Sequence, residues 1–255
     1  MQKIATLIVL VALTLSLTFA SHAEEHNALT AEQKAQGWKL LFDGKTLAGW
    51  HSFKEKQALP EWSVADGVLK LTPVKEKHNP GLVTNEMFEH FELYIEWKIS
   101  PGGNSGVFYR VQDEGNDLNN TGIECQVLDN EKHPDAKVNK NRQSGAAYYM
   151  YEPAKDATKP VGEWNQLRIV VTGQHVEHYL NNEKVVDYTI LSEDWLKRFE
   201  ASKFKKSPKY GRIAKGHIAL QEHGDAVEYR DIRIREIEAP KTTAAQPSSP
   251  ATPSK

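Results

Sequence analysis

The stretch FELYIEWKIS, residues 91–100, decides the fold class because its apolar side chains return at every second position. Two sets of residues alternate along it, namely Leu93, Ile95, Trp97 and Ile99 against Glu92, Tyr94, Glu96 and Lys98. A period of two places the two sets on opposite faces of a β-strand. The stretch therefore predicts a strand with one core face and one polar face.

The same period recurs on both sides of this strand. The further segments are GVFYRV, GIECQVLD, QLRIVVTG, HVEHYLN, EKVVDYTI, GHIALQEHG and VEYRDIRIREI. Turn signals such as Thr172-Gly173 and Asn181-Asn182 separate several of them. Only Ser192 to Phe204 is typical of a helix, with a capping serine and acids in its first turn. The pattern predicts an all-β, two-sheet antiparallel sandwich with one inserted short helix.

The two ends of the chain differ from the part between them. Residues 1–23 join a basic start to an uncharged apolar run and end in small residues before Ala23, which is typical of a secretory signal peptide. We expect cleavage there, export to the periplasm or the extracellular space, and no stable membrane insertion afterwards; an uncleaved anchor is the alternative. Residues 24–36 form an N-terminal lead-in and residues 37–238 the folded domain. Residues 239–255, rich in Pro, Ser and Thr, are expected to be disordered.

The composition excludes several classes of protein. With 255 residues, 39% of them hydrophobic and 26% charged, the chain can form a real core and is not a disordered protein. The single cysteine, Cys125, excludes a disulfide scaffold and a four-cysteine zinc site. A formal net charge of −2 argues against a nucleic-acid partner. No pattern in the sequence specifies an oligomeric state.

The segment ECQVLD, residues 124–129, carries the densest polar pattern. Glu124 and Gln126 share one strand face, whereas Asp129 joins them only after a bulge or the end of the strand. The spacing resembles the E-x-D-x-x-E strand of laminarinase-type glucanases, which cleave glycosides with two carboxylates. Gln126 replaces the middle acid, so the likeness is partial. These residues are either catalytic or ordinary polar groups at a strand end.

Three other polar clusters are candidate sites. In GHIALQEHG, His217, Gln221 and His223 share a face, and such side chains bind sugar hydroxyls or metals. The run GGNSG, residues 102–106, leads toward Arg110 and is either a substrate loop or a plain hairpin connection. The loop after Asp129 contains His133 and mixes oxygen and nitrogen donors suited to a divalent metal, but a solvated turn is an equal alternative.

The motifs in their order along the chain resemble the bacterial 3-keto-disaccharide hydrolase domain family. They are GWKLLFDGKTLAGW, GNSGVFYR, GIECQVLDN, SGAAYYMYEP, GEWNQLRIVV and GHIALQEHG, from about Gly37 to Ile237. The resemblance implies an exported protein with a concanavalin-like (jelly-roll) antiparallel β-sandwich. It also implies cleavage of glycosides already oxidised to a ketone at carbon 3, by members that include lyases and hydratases, with a divalent metal ion.

Such a substrate favours elimination. The ketone acidifies the hydrogen on carbon 2, so a base can form an enolate that expels the group on carbon 1, and water can then add back. The reaction needs a base near carbon 2 and an electrophile near the ketone oxygen. A metal held by imidazole and carboxylate ligands would supply the electrophile.

The resemblance implies roles for individual residues. Glu124, His133 and His223 are the candidate metal ligands or acid–base groups, and Tyr148 is the candidate proton donor to the leaving group. The expected substrate contacts are Asn104, Arg110, Gln126, Asp129 and Gln221. The oxidised sugar or glycoside is the expected partner. Two alternatives remain open, a laminarinase-type glycoside hydrolase and a non-catalytic carbohydrate-binding sandwich.

Overall fold

The structure, a computed structural model, describes residues 25–74 and 81–239. The signal peptide predicted for residues 1–23 lies outside the described residues, as does nearly all of the tail. The described strands are β1 Lys39–Leu40, β2 Trp50–Ser52, β3 Trp62–Ala65, β4 Val68–Leu71, β5 Gly81–Phe88, β6 Phe91–Ile99, β7 Asn104–Val111, β8 Ile123–Leu128, β9 Asn165–Thr172, β10 His175–Leu180, β11 Glu183–Thr189, β12 Gly216–Gln221 and β13 Val227–Glu236. They pair antiparallel in two sheets, which confirms the predicted all-β sandwich.

The two sheets enclose one main core. The first sheet has the order β11-β10-β9-β6-β13-β4-β3, with β1 beside β13, and the second has the order β2-β5-β12-β7-β8. Strand β6, the FELYIEWKI stretch, lies at the centre of the first sheet. Its apolar set is buried against Ile123, Cys125 and Val127 of β8 in the second sheet. Hydrophobic burial of alternate residues thus joins the two layers.

The polar face of β6 is covered by arginines. Glu92 accepts hydrogen bonds from Arg168 at 3.0 Å and from Arg235 at 2.8 Å, and both partners lie on strands next to β6. Glu96 pairs with Arg230 at 2.7 Å. Both carboxylates are therefore buried although they face away from the core. Charge-assisted hydrogen bonds between neighbouring strands compensate for their lost hydration.

Helices are more numerous than the sequence predicts. The predicted helix is α3, Glu193–Ala201, capped by Ser192, and a 3-10 helix, Lys203–Lys206, follows it. Two short α-helices were not predicted, α1 Ala31–Ala35 and α2 Pro134–Val138. Side-chain caps start both of them, a signal that hydrophobic periodicity does not detect. No helix among the described residues has the length and apolar character needed to cross a membrane.

The lead-in segment packs onto the first sheet. The Nδ1 atom of His26 lies 2.6 Å from Oδ2 of Asp231 in β13, and the Asn27 side chain donates to the Gly67 carbonyl at 2.8 Å. Polar contacts thus anchor the segment before residue 37 to the sandwich.

Two turn predictions have different outcomes. The Asn181-Asn182 hairpin is confirmed, with φ of 50° and 67°, the left-handed values that a type I′ turn requires. The run GGNSG is only partly a turn, because β7 begins at Asn104 and its last three residues belong to the strand. Asn104 is therefore held by the sheet and not by a mobile loop.

Arg110, which the sequence predicts to be a substrate donor, is buried and points away from the outer face of the second sheet. The pairing of β7 with β12 shifts at this point, and Arg110 adopts a φ of 61°. This β-bulge turns the side chain inward, and only 1% of the residue is exposed. Its guanidinium donates to the carbonyls of Gly173 at 2.5 Å and Gly211 at 3.1 Å, and to the Gln174 side chain at 3.1 Å. Arg110 is a structural tie between β7 and two loops.

We expect Arg110→Met to destabilise the protein by about 1–3 kcal/mol, because it leaves buried carbonyls without a donor. The free energy of unfolding in urea measures the effect. The exposed Lys215→Met change, near the start of β12, is the control and should shift it by less than about 0.5 kcal/mol. Unchanged stability together with a weakened substrate interaction would restore the role predicted from the sequence.

Candidate active site

The candidate site lies on the face of the second sheet that points away from the first. Because Cys125 is in the core, Glu124 and Gln126 project from the opposite face of β8. Gly106 of β7 pairs with Gln126 and lies directly beneath the Glu124 side chain. A Cβ atom on Gly106 would come within 2.5 Å of Glu124 Oε1. Only glycine leaves room for the carboxyl at this position.

Glu124 has the most perturbed carboxyl of the site. It is 2% exposed, and no described residue donates a hydrogen bond to its carboxyl group. Burial raises the pKa of Glu124 to about 8, against the opposing charge of Lys203 and with smaller contributions from Asp117 and Asp135. The group can thus take up or release a proton near neutral pH, as a general base must.

Tyr148 lies beside Glu124 and is held by a carboxylate. Its backbone N–H donates to the Glu124 carbonyl at 3.0 Å, and its hydroxyl donates to Oδ2 of Asp135 at 2.7 Å. Asp135 also pairs with Arg142 at 2.5 Å. Burial raises the pKa of Tyr148 above its usual value, and the bond to Asp135 raises it further. Tyr148 therefore keeps its proton at neutral pH.

Lys203 is a site residue that the sequence did not indicate. Its Nζ atom lies 4.5 Å from the centre of the Tyr148 ring and 5.2 Å from that of Phe204. The 3-10 helix after α3 carries it, so the inserted helical segment forms one wall of the site. The run KFKK resembles any solvated basic segment, and no spacing in the sequence connects it with Glu124.

Two amide groups border the same face. The Oδ1 atom of Asn104 and the Oε1 atom of Gln221 are buried and accept no hydrogen bond from a described residue. Leu220 pairs with Val107, which places Gln221 next to Gly106. Buried amide oxygens almost always have a donor. These two are therefore suited to accept hydrogen bonds from sugar hydroxyls. Gln126, 2% exposed, shares the face and uses its Oε1 to accept from the N–H of Val127 at 3.1 Å.

Asp129, which the sequence predicts to be a substrate contact, organises the loop that follows β8. Strand β8 has ended before it, and its carboxylate accepts from the N–H groups of Gly102 at 2.7 Å, Glu131 at 2.9 Å and Lys132 at 3.1 Å. Burial raises the pKa of Asp129, but these hydrogen bonds outweigh that effect and bring the pKa below its usual value. A carboxylate so engaged is a poor nucleophile partner for Glu124.

The predicted metal ligands do not converge. The rings of His133 and His223 lie edge to face with centroids 6.4 Å apart, and His133 Nδ1 accepts from the N–H of Asp135 at 3.1 Å. Their ligand atoms and those of Glu124 do not all come within 4.8 Å of one another. As these side chains lie, they do not form a three-ligand site.

Two other groups among the described residues have ligand atoms close enough to hold a metal ion. They are His26, Glu96 and Asp231, and His175, Glu177 and Asp187. Both belong to the first sheet or to the segment packed on it. The carboxylates of the first group are already hydrogen-bonded to Arg230 and Asn27, and those of the second group pair with Lys184. Neither group lies on the Glu124 face.

Comparison with known proteins identifies the family. The family model for the 3-keto-alpha-glucoside-1,2-lyase-like domain matches residues 37–235. The chain belongs to this family. A 3-keto-disaccharide hydrolase of Bacteroides thetaiotaomicron is 35% identical over 244 residues, which cover 85% of this chain and 84% of the relative. The match confirms the family resemblance of the sequence motifs.

Solved structures of similar fold support the assignment. A candidate glycosyl hydrolase from Parabacteroides distasonis is 33% identical, covers 84% of this chain and all of its own, and superposes with a TM-score of 0.77. A second from the same organism is 30% identical over 78% of this chain and 99% of its own, with a TM-score of 0.59. In this 3-keto-alpha-glucoside-1,2-lyase-like domain, every candidate site residue lies within the matched range.

The buried Glu124 makes a prediction about stability. Its pKa in the folded protein, about 8, exceeds the ordinary value of 4.5, so folding favours the protonated form. That contribution to stability is full below about pH 4.5 and is lost as the pH rises through 8. Glu124→Gln keeps the shape without the charge. We expect the melting temperature of this variant, taken relative to that of the natural protein, to increase as the pH is raised from about 5 to about 9.

Thermal unfolding over this pH range measures the difference. Glu131→Gln, a change on an exposed loop, is the matched control and should give a curve parallel to that of the natural protein. A parallel curve for Glu124→Gln as well would show that the Glu124 carboxyl is not desolvated.

Proposed function

We propose that this chain is a carbohydrate-active hydrolase that cleaves the glycosidic bond of 3-keto-disaccharides. The observation that carries the proposal is the Glu124 carboxyl, buried on a sheet face with a pKa near 8 beside two unpaired amide oxygens. Family membership and the 35% identical 3-keto-disaccharide hydrolase support the substrate class. A base of this pKa suits removal of a proton next to a ketone.

The proposed reaction is an elimination followed by hydration. Ionised Glu124 takes the proton from carbon 2, and the electron pair of that bond moves into the enolate of the ketone at carbon 3. The enolate returns the pair, the bond from carbon 1 to the glycosidic oxygen breaks, and the departing oxygen takes a proton. Water then adds to carbon 1 while carbon 2 regains a proton, which gives net hydrolysis.

The remaining candidate residues have supporting roles in this proposal. Tyr148, protonated throughout the working pH range, gives the proton to the departing oxygen once its hydroxyl leaves Asp135. Asn104 and Gln221 accept from sugar hydroxyls, and Gln126 lies on the same face of the sheet. His133 and the exposed His223 lie together at one side and are acid–base candidates for the hydration step.

The divalent metal ion predicted from the sequence remains a proposal and has no step in this scheme. When bound, such an ion polarises the ketone oxygen. Chelation of the purified protein, followed by addition of single divalent ions, tests for it. Loss and recovery of turnover would require His133 and His223 to turn toward a common centre. Turnover unaffected by chelation would remove the metal from the proposal.

Export completes the proposed function and places the enzyme in the periplasm or outside the cell. The signal pattern of residues 1–23 supports it. Expression of the full chain in a bacterial host, with fractionation and N-terminal sequencing, is the test. We expect the exported protein to begin at Glu24, and recovery of an uncleaved chain in the membrane fraction would contradict this.

A retaining glucanase is less well supported. Its mechanism needs a second free carboxylate, and the carboxylate nearest in sequence, Asp129, is used by three backbone N–H groups. Cleavage of an unmodified β-glucan would overturn the present assignment. Sugar binding without cleavage of any glycoside would instead indicate a binding module.

We expect the purified protein to release free sugar from a 3-keto-disaccharide and not from the same disaccharide before oxidation. Glu124→Gln should lower kcat by about 10²–10⁴-fold, because it removes the base. The kcat/KM of the natural protein should rise with pH and level off above about 8, where Glu124 is ionised. Chromatography of the released sugar measures the substrate preference, the kcat of the variant and the pH dependence of kcat/KM.

Deuterium incorporation is the mechanistic control. In heavy water the 3-keto product should carry deuterium at carbon 2, detected by NMR or mass spectrometry. The Glu131→Gln variant should behave like the natural protein. Sugar release without deuterium at carbon 2 would replace elimination with direct hydrolysis.

A further inference from the structure

We propose that Lys203 is a catalytic residue whose ammonium group binds the ketone oxygen and stabilises the enolate formed when carbon 2 loses its proton. The inference rests on the proposed function and assigns the electrophile that the elimination requires. It concerns a residue of the chain itself and is argued from its surroundings.

The Lys203 ammonium is held in place without an acidic partner. Its Nζ atom lies 4.5 Å from the ring centre of Tyr148, 5.9 Å from that of Tyr149 and 5.2 Å from that of Phe204. Cation–π attraction to three rings orients the side chain. It makes no ion pair with a carboxylate among the described residues, so its charge remains available to a ligand.

The other cations near the site are already engaged. Arg142 pairs with Asp135, and Arg110 is buried with its guanidinium on backbone carbonyls. Lys203 alone among these three combines an exposed head group with contact to Tyr148, the residue whose backbone N–H bonds Glu124. Lys203 thus contacts the ring of the proposed proton donor and lies near enough to the proposed base to lower the pKa of its carboxyl.

The chemistry requires such a cation. When Glu124 removes the proton from carbon 2, negative charge develops on the ketone oxygen of the neighbouring carbon 3. A fixed positive charge at that oxygen lowers the barrier more than it strengthens substrate binding, because the ketone is neutral and the enolate is not. The metal ligands predicted from the sequence do not converge, and Lys203 supplies the electrophile without them.

Substitution of Lys203 tests the inference. Lys203→Met should lower kcat on a 3-keto-disaccharide by about 10²–10³-fold with KM changed by less than about threefold, since the charge acts in the transition state. Lys203→Arg should recover part of the loss. Lys205→Met and Lys206→Met, on the same 3-10 helix and also exposed, are the matched controls and should retain full activity.

Hydrogen exchange separates this role from a structural one. In heavy water the natural protein should exchange the carbon 2 hydrogen of a free 3-keto-hexose, which has no sugar leaving group, and Lys203→Met should slow that exchange as much as it slows cleavage. Melting temperatures show whether each variant is folded. If Lys203→Met is unfolded, Lys203→Gln is used in its place. Normal exchange and kcat in a folded Lys203→Met protein would overturn the inference and leave the proposed function intact. Absence of both activities in the natural protein would overturn both.

Discussion

The contact between the Glu124 carboxyl and Gly106 is the constraint on which the site depends. A carboxyl group can lie flat on a neighbouring strand only where that strand lacks a side chain, and Gly106, the partner of Gln126 on β7, provides this gap under the Glu124 carboxyl. Because the carboxyl lies against the backbone of β7, it loses its contact with water without gaining a hydrogen bond. Its protonated form is therefore favoured.

Two helical elements contact Tyr148, the residue beside Glu124. Helix α2 presents Asp135, which fixes the Tyr148 hydroxyl, and the 3-10 helix after α3 places Lys203 against the Tyr148 ring. Buried aromatic stacking holds α3 and this turn on the sandwich, with Phe204 and Tyr210 at 4.1 Å between ring centres. The helical insertion therefore belongs to the site as much as the sheet does, and its packing determines the position of the cation.

Strand periodicity predicted the fold and part of the site from sequence. It placed Glu124 and Gln126 together on one face of β8, because alternation holds wherever a strand is regular. It failed at Arg110, where a bulge reverses the face. At Asp129 it left two alternatives open, a bulge or the end of the strand, and the strand ends at Leu128. Periodicity does not identify Asp135 and Lys203 as site residues for another reason. They reach Tyr148 through contacts between segments far apart in the chain, and one strand's periodicity carries no information about such contacts.

The apolar patch next to the site explains why the pKa of Glu124 is raised. A second cluster of buried side chains covers part of the same outer face, and it consists of Phe53, Val83, Phe108, Val111, Leu118 and Ala219. Phe108 pairs directly across from Glu124. An apolar neighbour cannot solvate a carboxylate, so this patch raises the energy of the ionised form, while the Lys203 charge limits the increase. The balance between the two keeps the group near its point of half ionisation at neutral to slightly alkaline pH. A carboxyl free of the patch would be a weaker base, and one without the cation would ionise only at higher pH.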